Sequence, residues 1–159
     1  IHMIRRYGSL EACFVSHYMR VKDSCATAIV AAFPGFVSEL CEYGGVTRST
    51  LLPLAGASSA CKRLNLFLRW MVRKDDVDPG SWLGIPTRKL MVPLDTHMHR
   101  ICFLLKMTHR KNADMRTVRE ITRAFRQIEP EDPVRYDFAL TRLGIRRDSH
   151  PEALLSICT

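Results

Sequence analysis

The segment Ala60–Arg73, ACKRLNLFLRWMVR, decides how the rest of the chain is understood. Leu64, Leu66, Phe67, Leu68, Trp70, Met71 and Val72 fall around most of a helix's circumference, and a helix that is apolar nearly all round is a buried one. A chain of 159 residues, 47% apolar and 25% charged, can bury such a helix within one or at most two small domains.

Downstream, Lys74 to Leu94 (KDDVDPGSWLGIPTRKLMVPL) carries three prolines and two glycines and is predicted to be a long loop, a length that compact domains tend to reserve for function. Asp95 is expected to N-cap a helix running to Met107, and Asp114 another running to Ile128. Asp132-Pro133 should open a last helix ending near Gly144. Upstream, Ser9 caps a first predicted helix, with Leu10, Phe14, Val15 and Tyr18, that runs to about Arg20. Ser24 to Tyr43 is expected to be helical, bent or broken at Pro34-Gly35 and stopped by Gly44-Gly45. Thr47 to Ser59 is turn-rich. No strand signal stands out, so the predicted class is all-α.

Ile1-His2-Met3 is not expected to be a signal peptide or a native beginning and looks like a vector scar ahead of a coding start at Met3. The domain is therefore set at residues 4–147, with 148–159 as a tail. No run approaches the roughly 18 apolar residues of a membrane helix, so no membrane partner is expected. The six cysteines, at 13, 25, 41, 61, 102 and 158, include no CxxC pair and are expected to be reduced, buried thiols of a cytosolic protein. His97 and His99, two residues apart on a helix, diverge by about 200° and are badly placed to share a metal ion.

The net charge of +8 is concentrated. From Lys62 to Arg126 there are 15 basic and six acidic residues, a net +9, and the rest of the chain stands at −1. A field of that sign attracts polyanions, nucleic acid first among them, and makes binding salt-dependent.

Two residues in this region have chemical interest. Lys62 lies in the first turn of the predicted buried helix, beside Arg63 and after a Gly/Ser-rich turn. The positive end of the helix dipole, the adjacent guanidinium and partial desolvation all disfavour an ammonium there, and a neutral lysine is a nucleophile for Schiff-base chemistry. Asp95, in PLDTHMHR, sits at a predicted N-cap, where backbone N–H groups keep a carboxylate ionised and suited to stabilise a developing cation.

PLDTHMHRICFLL resembles the Asp-bearing helix of the helix-hairpin-helix DNA glycosylase superfamily, and SSACKRLNLFLRWMVR resembles the helix after that superfamily's hairpin, where bifunctional members carry a Schiff-base lysine. The 33 positions between Lys62 and Asp95 are more than in endonuclease III-like members and are similar to the archaeal 8-oxoguanine glycosylase branch. KRLNLFLRWMVRKDDVD, PLDTHMHR and EPEDPVRYDFALTRLGI together resemble a bacterial glycosylase-like family over about Tyr7 to Arg146.

The resemblance implies a helical bundle in which Lys62 attacks the sugar C1′ and Asp95 supports departure of the base. It implies phosphate contacts from Gly56, Ser58, Ser59, Arg63, His97 and Arg100, and a base pocket that includes Tyr136, Asp137 and Phe138. Asp137 either accepts a hydrogen bond from a purine N–H or simply stabilises its helix. The superfamily's LPGVGxK hairpin is replaced here by LAGASSACK, so phosphate-gripping amides must come from an altered turn. The superfamily also carries several helices ahead of the point where this chain begins, so a bundle lacking some N-terminal helices is expected.

The function this implies is excision of an oxidised purine, 8-oxoguanine in the first instance, from double-stranded DNA, followed by strand cleavage through a lysine Schiff base, with no cofactor or metal. The alternative is a helix-hairpin-helix module that holds DNA by its phosphates and performs no chemistry. An α-helical regulator reading a groove with Asp114–Gln127 is weaker, because that helix has few Asn or Gln for base edges.

Overall fold

Backbone hydrogen bonds left over at the end of one helix explain how the molecule is assembled. That helix, α5 (Lys62–Val72), leaves the carbonyls of its last turn without intrahelical donors. The following loop supplies them: Gly80 N–H donates to Trp70 O at 3.0 Å, and the N–H groups of Ser81 and Trp82 both donate to Met71 O at 2.7 Å. Gly80 has a positive φ of 46°, and a Cβ there would lie 2.6 Å from Arg73 O, so only glycine lets the chain turn back this closely.

The computed structural model describes residues 2–21, 27–46, 52 and 59–145. They form α1 (His2–Tyr7), α2 (Leu10–Val21), α3 (Ala28–Ala31), α4 (Phe33–Tyr43), α5, a 3-10 turn at Thr87–Lys89, α6 (Thr96–Leu104), α7 (Met115–Ile128) and α8 (Asp137–Ile145). Among the described residues there is no strand, only an isolated bridge between Lys74 and Pro79. The fold is all-α, and none of the described helices is long and apolar enough to cross a membrane.

Several helix starts follow the expected caps. Ala12 N–H donates to Ser9 Oγ at 2.9 Å, Met98 N–H to Asp95 Oδ1 at 2.7 Å, and Thr117 N–H to Asp114 Oδ1 at 2.9 Å. Elsewhere the structure corrects the expectation. The break in the second predicted helical stretch falls at Ala32, between α3 and α4, not at Pro34-Gly35. Pro34 occupies the first turn of α4, where its missing N–H would have no helical acceptor anyway, so it starts a helix and does not break one. The last helix begins at Asp137, not at Asp132-Pro133. Asp132 is spent elsewhere, its Oδ2 accepting from Arg73 Nε at 2.7 Å, and residues 133–136 form turns. The helix opened by Asp95 ends at Leu104, short of Met107, with Lys106 in the left-handed region at φ 57°. At the N-terminus α1 takes in His2 and Met3, and Met3 is buried in the core.

One hydrophobic core runs through the described chain. Phe14 of α2 is fully buried and meets Phe33, Phe36 and Trp82, with ring centroids 6.2, 5.2 and 5.8 Å away. Phe67 of α5 closes the cluster against Trp82 at 5.5 Å. The loop after α5 is part of this core, since Trp82, Ile85, Leu90, Met91, Val92 and Leu94 are all buried. Rings this size carry several kcal/mol each, and truncating one typically costs about 3–5 kcal/mol.

The helix that decided the sequence reading is less uniformly buried than its composition predicts. Trp70 is 45% exposed, while the covered side of α5 includes Asn65 and Arg69 with Leu64, Leu68 and Val72. The side of α5 carrying Lys62, Leu66, Arg69 and Trp70 borders a cavity.

Candidate active site

Lys62, Leu66, Arg69 and Trp70 lie four, three and one residue apart and share one side of α5. They form one wall of a cavity of about 310 Å³, near the lower end of the roughly 300–1,000 Å³ typical of ligand sites. The loop contributes Val77 and Pro93, the head of α6 contributes Asp95, and α8 contributes Asp137, Phe138 and Thr141. α8 reaches this position because Gly144 lets it press against α6; a Cβ at Gly144 would lie 3.0 Å from His97 Cβ.

The two residues singled out for chemistry meet here. Lys62 Nζ is 3.2 Å from Asp95 Oδ2, across 33 positions of sequence. Asp95 uses its other oxygen to cap α6 through Met98 N–H, so its carboxylate is aimed by one bond and paired through the other. Lys62 begins α5 after Cys61, a buried residue held in the left-handed region at φ 47°. Ser59 Oγ accepts from Cys61 N–H at 3.1 Å. The lysine is only partly desolvated, its side chain being 46% exposed. It stands at the cavity's open edge and is not sunk beneath an apolar surface.

Deeper in the wall lies a second pair that the sequence did not announce. Arg69 donates through Nη1 to Asp137 Oδ2 and through Nε to Asp78 Oδ2, the latter at 2.9 Å. Arg73 donates to Asp78 at 2.8 Å, to Asp132 at 2.7 Å and to Asp75. Arg69, Asp78 and Asp137 are all nearly inaccessible. Burial pushes the Asp137 carboxyl up to about 6 in spite of Arg69, and the charges of Asp95 and Asp78 push the same way. Asp137 Oδ1 and Arg69 Nη2 are buried without a hydrogen-bond partner among the described residues. The backbone N–H of Asp78 holds Asp75 down to about 2.

The remaining expected site residues divide. Phe138 lines the cavity with Asp137, and the Arg142 guanidinium sits 5.5 Å from its ring centroid. Tyr136 does not line it; its ring packs beside Phe125 at 6.5 Å, because residues 133–136 turn before α8 begins. Arg63 and Arg100 are exposed on α5 and α6. His97 is exposed, with Nδ1 2.9 Å from Gly144 O. Gly56 and Ser58 lie outside the described residues. Arg69 was missed by the sequence reading, although a signal was available: a charged residue seven positions after Lys62 returns to the same side of an otherwise apolar helix. Among the described residues no group of three or more His, Cys, Asp or Glu is arranged to hold a metal ion.

The family model described as protein of unknown function (DUF2400) matches residues 1–146. The chain belongs to the DUF2400 family. No curated protein and no solved structure matches it. What this DUF2400 cavity offers chemically is an amine and a carboxylate in contact at its edge, a shielded second carboxyl on its wall, and exposed aromatic surface from Trp70 and Phe138 beside them.

Proposed function

We propose that this DUF2400 protein is a helix-hairpin-helix-type DNA glycosylase with AP-lyase activity, acting on an oxidised purine such as 8-oxoguanine in double-stranded DNA. The observation that carries the reading is the contact of Lys62 Nζ with Asp95 Oδ2 at 3.2 Å on the rim of a cavity. An extruded base would enter between Trp70 and Phe138, whose exposed rings offer flat apolar surface of the kind that holds flipped bases. Lys62, once deprotonated, attacks C1′, and Asp95, ionised and held by Met98 N–H, stabilises positive charge on the sugar. The Schiff base that follows permits cleavage of the strand. The net +9 between Lys62 and Arg126 supports attraction to the DNA backbone.

The non-catalytic DNA-binding alternative has one observation in its favour: Lys62 is half exposed and ion-paired, as a purely structural surface lysine would be. Borohydride trapping on an 8-oxoguanine duplex separates the two. The glycosylase reading expects a covalent complex with the wild-type chain and none with Lys62→Ala. No complex with the wild type, or an undiminished one with the variant, removes the assignment. Asp95→Asn, which keeps a capping side chain, should slow excision by on the order of 100-fold while DNA affinity changes little.

A further inference from the structure

Departure of a purine requires a proton for the leaving base as well as charge stabilisation at the sugar, and one carboxylate cannot supply both at once. Both oxygens of Asp95 are engaged, Oδ2 by Lys62 and Oδ1 by the Met98 N–H. The second carboxyl facing the cavity is that of Asp137. Resting on the glycosylase reading above, we propose that Asp137 is the proton donor to the departing base, with the proton carried on Oδ1.

Three observations support this. Asp137 lines the cavity yet is only 4% exposed, so a proton on it is shielded from exchange with bulk water. Its two oxygens are differentiated: Oδ2 is bonded to Arg69, whereas Oδ1 has no partner among the described residues. Other carboxylates stand close by. The guanidiniums of Arg69 and Arg73 are shared among the carboxylates of Asp75, Asp78, Asp132 and Asp137, with Asp95 facing the same cavity. The negative charges of Asp95 and Asp78 disfavour a further one on Asp137, and burial, the largest cause, pushes its carboxyl up to about 6 in spite of Arg69.

The charged and titratable groups around Asp137 are Arg69 and Lys62 on α5, Asp78 in the loop, and Asp95 and Cys102 on the α6 side. Burial, with Asp137's own charge adding to it, pushes the Cys102 thiol up to about 12, so it stays protonated throughout.

In the step proposed, the C1′–N bond breaks and its electron pair goes to the base, which takes the proton from Asp137. Neutral Lys62 forms the new C1′–N bond and passes the proton it sheds to Asp95. The resulting Asp137 carboxylate remains paired with Arg69 until the base has left and water entering the emptied cavity returns the proton.

An abasic site already lacks the base, so trapping by Lys62 on a preformed abasic duplex does not need this proton. The test therefore compares single-turnover excision of 8-oxoguanine with borohydride trapping on an abasic duplex, across pH. For the wild type the ratio of excision to trapping should fall above about pH 6. For Asp137→Asn the ratio should drop by on the order of 100-fold and lose that pH dependence, and Asp137→Glu should restore part of both. A flat wild-type ratio, or an Asn variant in which excision and trapping fall together, overturns the assignment and leaves the lyase reading standing. A wild type that traps neither duplex removes both. The wild-type profile decides the matter even if the Asn variant does not fold.

Discussion

Two cation–carboxylate pairs face the same cavity and differ in nearly every physical respect. Lys62–Asp95 sits at the edge, with the lysine half in water, and joins residues from the starts of two helices. Arg69–Asp137 is sealed in the wall and is tied through Asp78 to Arg73 and Asp132. An exposed pair gains little, because water screens it and two long side chains must be held still, so it is worth at most about 1 kcal/mol. A buried pair has no such alternative solvent, and removing one partner strands a charge. The contrast teaches that breaking the wall pair should cost the fold far more than breaking the edge pair.

The largest expected effect is on the wall. Arg69→Ala leaves Asp137 without its guanidinium and Asp78 with that of Arg73 alone, and should lower unfolding stability by about 3–5 kcal/mol, read as a drop in the urea midpoint. A loss below 1 kcal/mol would erase the distinction between the two pairs. Next comes pH. Because Asp137 is raised to about 6 in the folded protein from an ordinary value of 3.8, the folded state binds the extra proton between those values. Stability contributed by this group is therefore highest at the acid side of that window and declines as pH rises through it. Asp137→Asn should remove this part of the decline, measured as chemical denaturation midpoints at successive pH values against the wild type.

A smaller effect is expected at Asp95, which both caps α6 and pairs with Lys62. Asp95→Ala should cost about 1 kcal/mol, mostly the cap, and Asp95→Asn only a few tenths, since Asn caps nearly as well. Thermal unfolding of the two variants side by side distinguishes cap from ion pair. The smallest change belongs to Lys62→Met, which should leave stability within about 1 kcal/mol of the wild type while abolishing borohydride trapping. A large loss of stability there would make Lys62 a structural residue.

Helix existence was legible wherever a local signal sufficed. Ser9, Asp95 and Asp114 act within three residues of themselves, and a cap is read from its own neighbourhood. The start of α8 was misplaced for the opposite reason: Asp132 is a good local cap that a distant arginine has claimed. Likewise, Pro and Gly spacing marked residues 74–94 as a loop, but local pattern has no means of showing that Trp82, Met91 and Val92 would be buried, or that the loop's N–H groups would close the end of α5.

By itself the sequence determined the all-α class, three of the helix caps, the basic segment and the two residues, Lys62 and Asp95, that carry the proposed chemistry. Those follow from side-chain type and short-range spacing, which are local quantities. Only the tertiary structure decided that these two residues touch, that Lys62 remains half in water, and that Arg69 and Asp137 form a sealed pair behind them. Contact, burial and the protonation of a shielded carboxyl depend on which segments distant in sequence pack together, and on how much water that packing leaves.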